Sequence, residues 1–158
     1  MEVHTQMRIK YNAKFVYFGK EKNNFTLALP YPSDGIFESA TTVQTQESAN
    51  GEIVGQVIGR TRDKQNMTWS VLDREKWWEI NNWIENNIKQ DAAFSFYCKY
   101  FNFNLGRWMI RQFYPGNRKC KPFAINSDDK NLDEYGKPRF LLNCQMNIID
   151  CGILEDDE

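Results

Sequence analysis

Alternating apolar and polar positions run through most of the chain, and they predict a protein built mainly from β-strands. The two-residue period of this alternation is that of a strand with one buried face. We predict strands over residues 7–18, 52–60, 66–72, 93–103, 107–114 and 139–149. The fourth and fifth strands form a hairpin, because Asn104, Leu105 and Gly106 provide a turn between them.

The same period predicts which side chains face inward, since successive side chains of a strand point to opposite faces. Gly55, inside the second strand, predicts a β-bulge. In the hairpin the inward side chains are Phe94, Phe96, Cys98 and Tyr100, and in the last strand they are Phe140, Leu142, Cys144, Met146 and Ile148.

One segment has the three- and four-residue spacing of an amphipathic helix. We predict a helix over residues 73–89, with the side chain of Asp73 as its N-cap. Leu72 and Trp77 occupy the positions of a hydrophobic staple. The stripe that packs against the sheet consists of Trp77, Ile80, Ile84 and Ile88.

Residues 20–50 follow neither period. This segment contains prolines, glycines and a run rich in Ser, Thr and Gln, which predicts at most short extended pieces. A loop of this length in a compact domain is usually functional, or it becomes ordered on a partner. We therefore predict an extended arm in which residues 30–50 contact a partner through Ser39, Thr41, Thr42, Gln44 and Gln46.

Together these elements predict one domain over residues 1–152, followed by an acidic tail at residues 153–158. Six or seven strands and one helix indicate an α+β fold. We expect a mostly antiparallel β-sandwich or partly closed barrel with the helix on one side. A chain of 158 residues can bury a core without disulfides. The aromatic fraction of 15% predicts a core built largely from Phe, Tyr and Trp.

Charge and hydropathy narrow the class of protein. The net charge at pH 7 is −1, which does not support a dedicated nucleic-acid binder. No apolar run is long enough to span a membrane, and the first residues lack the apolar core of a signal peptide. We therefore expect a protein made and used in the cytoplasm, or on a particle assembled there. The four cysteines have no CxxC spacing, and we expect Cys98 and Cys144 to be buried thiols.

The sequence contains little catalytic chemistry. His4 is the only histidine, so Ser/His/Asp and Cys/His arrangements are not expected, and there is no phosphate-binding glycine loop and no HExxH motif. Residues 127–134 resemble a calcium-binding loop only superficially, because the sixth position is not glycine. We predict no enzymatic activity, no cofactor and no metal.

Two groups of residues have alternative interpretations. Basic side chains at every second position form either the solvent-facing side of a strand or a contact with a neighbouring subunit: Arg60, Arg62 and Lys64. Three aromatic residues beside Lys99 and Arg107 form either stacking platforms for single-stranded nucleic acid or a packing surface: Tyr97, Phe101 and Phe103. The packing surface would be the second face of a two-sided core or a subunit interface.

A series of short motifs completes the pattern. It comprises Ser48, Asn50 and Gly51; Arg60 to Lys64 with Trp69 and Leu72; Phe94, Phe96 and Tyr100; Arg111, Phe113, Tyr114, Gly116, Asn117 and Arg118; Gly136, Lys137 and Pro138; and Asn147 with Ile148. On these residues the chain from about Ser39 to Gly152 resembles a group of small tail-structural proteins of phages and prophages of Gram-positive bacteria. It departs from their pattern at Asn117, where aspartate is commoner, in a longer loop at residues 126–135, and over residues 1–38.

The resemblance implies a tail-tube type of fold, an antiparallel sandwich with one flanking helix, joined into rings around a channel. It implies a structural component of the tail tube or of the distal, baseplate region, with no catalytic residues. Arg118, within the matched motifs, joins the candidate contact residues. The expected partners are further copies of the chain, with a hexameric ring as one expectation, and the tube, tape-measure and baseplate proteins. No membrane and no sequence-specific nucleic acid are expected, and the location is the virion tail, assembled in the host cytoplasm.

Two other functions fit the residues. One is a single-stranded nucleic-acid-binding β-barrel that uses Tyr97, Phe101 and Lys99, which predicts oligonucleotide binding that weakens steeply with salt. The other is a carbohydrate-binding β-sandwich with exposed tryptophans, which predicts a change in tryptophan fluorescence when glycans are added.

Overall fold

The computed structural model describes residues 14–122 and 131–154 of the chain. Over these residues there are eight strands and one helix, in the order β1 Lys14–Gly19, β2 Leu27–Pro30, β3 Phe37–Glu47, β4 Ile53–Asp73, α1 Arg74–Asp91, β5 Phe96–Asn102, β6 Arg107–Pro115, β7 Lys119–Lys121 and β8 Phe140–Asp150. The mostly antiparallel α+β fold predicted from the sequence is confirmed.

The eight strands form one sheet in the order β2-β1-β5-β6-β8-β4-β3, with β7 paired to β8. β6 and β7 lie one after the other along the same side of β8. Pro115 is opposite Ile148, and Lys119 is opposite Gln145. The three residues between Pro115 and Lys119 therefore face two residues of β8, and the chain bulges there.

The sheet curls until its two ends approach each other, but it does not close. Trp69 on β4 donates a hydrogen bond of 3.2 Å from its indole nitrogen to the carbonyl oxygen of Pro30 at the end of β2. The chain then runs beside β4, where the amide of Ser33 donates to the carbonyl oxygen of Thr68 at 2.9 Å. The architecture is therefore a partly open barrel with one flanking helix.

Helix α1 contacts β2, β4 and β8, and so covers the gap between the two ends of the sheet. The side chain of Asp73 accepts a hydrogen bond of 2.9 Å from the amide of Glu75, which confirms the predicted N-cap. Trp77, Ile80 and Ile84 are buried against the sheet. Three of the four residues of the predicted stripe therefore belong to the core.

The fourth residue of that stripe does not. Ile88 is 40% exposed, and Asn87 is buried instead. The amide side chain of Asn87 donates hydrogen bonds to the carbonyl oxygens of Ala93 and Ser95, at 3.3 and 3.0 Å. The turn that leads into β5 thus requires a polar donor at the end of the helix, where the periodicity predicts an apolar contact.

The core lies inside the curled sheet and beneath α1. Phe18 and Phe96 pack with their ring centroids 4.4 Å apart, and Trp83 meets Phe96 edge-on at 5.5 Å. Of the nineteen buried apolar residues in the core cluster, seven are aromatic. The core is therefore only partly aromatic, and aliphatic side chains with Met and Cys fill the rest.

The prediction of at most short extended pieces before residue 50 is wrong for residues 37–47, which form the eleven-residue strand β3. The two strands predicted at 52–60 and 66–72 are one strand, β4, of 21 residues. Both differences have one cause. β3 and the first half of β4 satisfy each other's backbone hydrogen bonds, which overrides the weak apolar pattern of β3.

The bulge in β4 lies at residues 59–61 rather than at the predicted Gly55. Thr41 of β3 faces these three residues, because the register shifts between its two neighbours. Gly59 has φ = 69°, in the left-handed region that costs other residues about 1–2 kcal/mol. Glycine is thus required at the bulge.

The inward face of β8 changes partway along the strand. Asn143 has φ = 47°, which interrupts the two-residue alternation. On one side of it, Phe140 is 45% exposed, and Leu141 rather than Leu142 is buried. The residues after Asn143 are buried as predicted: Cys144, Met146 and Ile148.

Some predictions concern a residue before a strand or residues outside the described ranges. Phe94, predicted to face inward, is 70% exposed, because it precedes β5. Residues 7–13 of the first predicted strand, residues 127–130 of the loop that superficially resembles a calcium site, and residues 155–158 of the acidic tail lie outside the described residues.

Candidate assembly interface

The β3–β4 hairpin extends beyond the curled sheet as a two-stranded ribbon. Residues 42–47 of β3 pair with residues 53–58 of β4. β4 pairs with β8 only from Lys64 onward, so no third strand of the described residues accompanies this part of the hairpin. We call residues 41–59 the arm. All of its residues except Ser48 are exposed.

Both faces of the arm carry large apolar side chains. Residues directly opposite each other in an antiparallel pair lie on the same face. One face carries Val43, opposite Val57, and further along Ile53. The other face carries Val54 and Ile58 beside the predicted contact residues Thr42, Gln44 and Gln46. The five apolar side chains are between 48% and 75% exposed.

The barrel does not bury either face of this ribbon. An isolated two-stranded hairpin is marginally stable in water at best. Burying one exposed Val or Ile side chain on a partner contributes up to about 1.5–3 kcal/mol. β3 also lies at the edge of the sheet, and edge strands pair readily with strands of other chains. The arm is therefore suited to binding another protein.

A buried carboxylate fixes the base of the arm. Asp63 accepts hydrogen bonds from the hydroxyls of Ser39 (2.7 Å) and Tyr100 (2.5 Å) and from the amide of Asn102 (3.1 Å). These donors belong to β3 and β5, which are not neighbours in the sheet. Burial and the hydrogen bond to Asp63 raise the pKa of Tyr100, so its hydroxyl stays a donor. Ser39, a predicted contact residue, is used within the chain.

A second buried carboxylate lies beside the first. Asp150 is 0% exposed, and Arg60 donates a hydrogen bond of 2.6 Å to each of its oxygens. The same carboxylate accepts from the amides of Asp63 (3.2 Å) and Gly152 (2.9 Å). The hydrogen bond with Asp150 raises the pKa of Arg60. Arg60 therefore does not lie on a solvent-facing side as predicted, because the bulge at residues 59–61 breaks the alternation.

The other predicted basic residues do not form one surface. Arg62 is exposed and Lys64 is half-buried, both on β4. Arg118 donates a hydrogen bond of 2.8 Å to the carboxylate of Glu85 on α1, so it joins the connection between β6 and β7 to the helix. The structure thus separates Arg118 from the arm, although the sequence motifs group it with the contact residues.

Four of the predicted contact residues lie on the arm, but its apolar side chains were not among the predicted contacts. Thr41 lies at the bulge, with its hydroxyl oxygen 2.6 Å from that of Thr61. The missed signal is in residues 53–58, "IVGQVI", where apolar residues come in adjacent pairs rather than singly. Adjacent apolar residues in a strand point to opposite faces, so this pattern indicates a strand that needs two apolar partners.

On the outer wall of β1, β5 and β6, aromatic side chains surround one lysine. The ammonium nitrogen of Lys99 lies 5.8 Å from the ring centre of Trp108 and 6.0 Å from that of Tyr17. Phe101 is opposite Trp108, and their ring centroids are 5.7 Å apart. We call these four residues the aromatic patch. Trp108 is 49% exposed.

Phe101 meets its two ring neighbours edge to face, whereas Tyr17 is tilted at 53° to Trp108. Phe101 lies at 78° to Trp108 and at 68° to Phe103. Tyr97 lies on the same wall, where its hydroxyl accepts a hydrogen bond of 3.4 Å from Gln112. Successive bases stack on parallel platforms, whereas edge-to-face rings form a continuous apolar surface. The arrangement favours packing against another protein over base stacking.

A separate cleft of about 330 Å³ lies between the β1–β2 connection and α1. Trp83 lines it, and its indole nitrogen donates a hydrogen bond of 2.9 Å to the hydroxyl of Thr26. The other lining residues are polar: Lys20, Glu21, Asn24, Asn86 and Gln90. An aromatic ring bordered by amides and hydroxyls has the chemistry of a small polar-ligand site.

Among residues 14–122 and 131–154, no three His, Cys, Asp or Glu side chains are placed to hold a metal ion. Within the same residues, no helix has the length and apolar character needed to cross a membrane. The chain matches no model of a known protein family, and no curated protein matches its sequence.

Proposed function

We propose that this protein is a structural component of a bacteriophage or phage-derived tail, and that it assembles into a ring in the tail tube or in the distal, baseplate region. The observation that carries the proposal is the arm, whose apolar side chains are exposed on both faces. The motifs between Ser39 and Gly152 support the assignment to a tail.

The construction of the arm fits this role physically. A ring subunit needs a rigid body and a projecting element that makes the same contact with every neighbour. The hydrogen bonds to Asp63 and Asp150 hold the base of the arm to the barrel. An element held in this way loses less conformational entropy on binding than a flexible loop.

Under this proposal the partners are further copies of the chain together with the tube, tape-measure and baseplate proteins of the tail. The protein acts in the virion, after assembly in the cytoplasm of the host bacterium. Its role is mechanical and requires no cofactor.

The mass of the purified protein across a concentration series, with electron microscopy of the same samples, tests the proposal. We expect the mass to rise from the monomer value of 18.7 kDa to that of a ring. The double substitution Val57→Lys and Ile58→Lys charges both faces of the arm and should abolish assembly. Gln44→Lys, at an exposed polar position of the same arm, is the matched control. A wild-type protein that stays monomeric and joins no tail particle would contradict the proposal.

The cleft beside Trp83 supports a second candidate function, carbohydrate binding. Addition of cell-wall oligosaccharides should then change the tryptophan fluorescence, and the change should be lost in the double variant Asn86→Ala and Gln90→Ala. Because Trp83 packs in the core against Phe96, it is left unaltered in this test. Unchanged fluorescence at millimolar glycan would exclude this candidate.

A further inference from the structure

We infer that the arm of one copy docks on the aromatic patch of a second copy, through the face that carries Val43 and Val57. This inference rests on the proposed self-assembly and names the surface that receives the arm. The patch consists of Tyr17, Lys99, Phe101 and Trp108, and it lies on a different part of the same barrel.

Both surfaces are exposed at once in a single chain. Val57 on the arm is 57% exposed, and Trp108 in the patch is 49% exposed. The arm therefore does not cover the patch of its own chain. Two different apolar surfaces on one subunit make a heterologous contact, which repeats from copy to copy and closes into a ring when the rotation allows it.

The arm and the patch carry opposite charges. The arm contains two acidic residues, Glu47 and Glu52, and no basic residue. β5 to β7, residues 96–121, contain no acidic residue. Of their basic residues, Lys99 lies in the patch, whereas Arg111 is buried and Arg118 is bonded to Glu85. Glu47 lies on the same face of the arm as Val43 and Val57, and Lys99 lies at the centre of the patch. Complementary charge of this kind steers the encounter and fixes its orientation.

The docking face of the arm has a shape that suits an aromatic ring. Gly55 lies between Val57 and Ile53 on the docking face, and it presents no side chain. Val43 leans over it, since a Cβ at Gly55 would lie 3.1 Å from a methyl carbon of Val43. The face is thus flat at Gly55 and apolar at Val43, Val57 and Ile53, and a half-exposed aromatic ring such as that of Trp108 packs well against such a surface. Glycine in a strand often marks the close approach of another molecule.

Complementary variants test the inference. Val57→Lys blocks the docking face of the arm but leaves the patch intact, and Trp108→Ala removes the patch but leaves the arm intact. Each variant alone should be monomeric. An equimolar mixture should form one species of two chains, twice 18.7 kDa, because one productive contact remains. Native mass spectrometry and light scattering measure this directly.

Matched controls separate the contact from general damage to the surface. Gln44→Lys places the same charge on the opposite face of the arm, and Trp78→Ala removes a tryptophan that is 47% exposed on α1. Both should assemble as the wild type does. Lys99→Glu is a second patch variant, used if Trp108→Ala lowers the melting temperature. It should also be monomeric alone and form the two-chain species with Val57→Lys.

The outcomes separate a failure of the docking inference from a failure of the proposed function. If the wild type assembles and both patch variants still assemble, the arm docks elsewhere and the inference is overturned while the proposed function stands. A mixture that stays monomeric overturns it as well, and a Trp108→Ala variant that associates with itself through its intact arm would indicate arm-to-arm pairing instead. A monomeric wild type and a monomeric mixture overturn both. If the monomer binds a single-stranded oligothymidine and Trp108→Ala abolishes that binding, the patch belongs to nucleic acid instead.

Discussion

Arg60 holds the fully buried carboxylate of Asp150 through two hydrogen bonds of 2.6 Å, although the two residues are 90 positions apart in the chain. The pair joins the base of the arm on β4 to the end of β8. A bidentate contact between guanidinium and carboxylate fixes direction as well as distance. The orientation of the arm relative to the barrel therefore depends on this pair.

We predict that Arg60→Ala lowers the free energy of unfolding by about 3 kcal/mol, because it leaves the Asp150 carboxylate buried without its counter-charge. Asp150→Asn in the same chain should recover part of this loss, since the amide needs no counter-charge and keeps an oxygen for the amides of Asp63 and Gly152. Urea unfolding of the two single variants and the double variant measures the coupling. Strictly additive effects would show that the pair does not stabilise the fold.

Tyr100→Phe should destabilise the protein by about 1.5–3 kcal/mol, since the hydroxyl donates to a buried carboxylate, that of Asp63. Tyr97→Phe is the matched control. The hydroxyl of Tyr97 lies on the outer wall and accepts a longer hydrogen bond of 3.4 Å from Gln112, so the loss should be within about 0.5 kcal/mol. Chemical denaturation measures the free energy of unfolding of both variants. Equal losses of stability would contradict the role assigned to Asp63.

Gly116→Ala should cost about 1–3 kcal/mol, because a Cβ at this position would lie 1.6 Å from the side-chain oxygen of Asn147. The clash is with a side chain, so shortening that side chain should relieve it. We expect the double variant with Asn147→Ala to lose less stability than the sum of the two single losses. Thermal unfolding measures all three variants. An additive result would mean that the backbone of the bulge, rather than Asn147, restricts the position to glycine.

The acid stability of the protein should depend on Asp133. Hydrogen bonds from the amide of Lys137, from Arg74 and from the amide of Tyr135 hold the pKa of Asp133 at about 2. An aspartate in an unfolded chain has a pKa of about 3.9. Because the folded pKa is the lower one, the contribution to stability is complete above about pH 4 and disappears as the pH falls towards about 2.

We therefore expect Asp133→Asn to be less stable than the wild type at pH 7, with a difference that shrinks between about pH 4 and pH 2. Glu134→Gln, at an exposed position in the same loop, is the control and should show a much smaller difference. Melting temperatures across this pH range test the prediction. A difference that stays constant down to pH 2 would contradict it.

The local features of the fold could be predicted from the sequence. The cap at Asp73, the helix after it and the turn at Gly106 depend on residues a few positions apart, and all three are present in the structure. The inward positions Phe96, Cys98 and Tyr100 also follow the two-residue period, because β5 is regular along its whole length. The predicted apolar stripe of the helix was wrong only at Ile88, because the turn after the helix requires a buried Asn87.

Local periodicity and capping were thus enough to predict the helix, regular strands such as β5 and the α+β class, but not β3 or the union of two predicted strands in β4. Which side chains each strand buries, and which part of the sheet stays exposed, depended on the tertiary structure. The left-handed residues Gly59 and Asn143 break the alternation within β4 and β8, and no period reveals where such a break occurs. The inward position of Arg60 depends on Asp150, 90 residues away. The exposure of the arm depends on where the barrel ends, which is set by long-range pairing rather than by the arm's own residues.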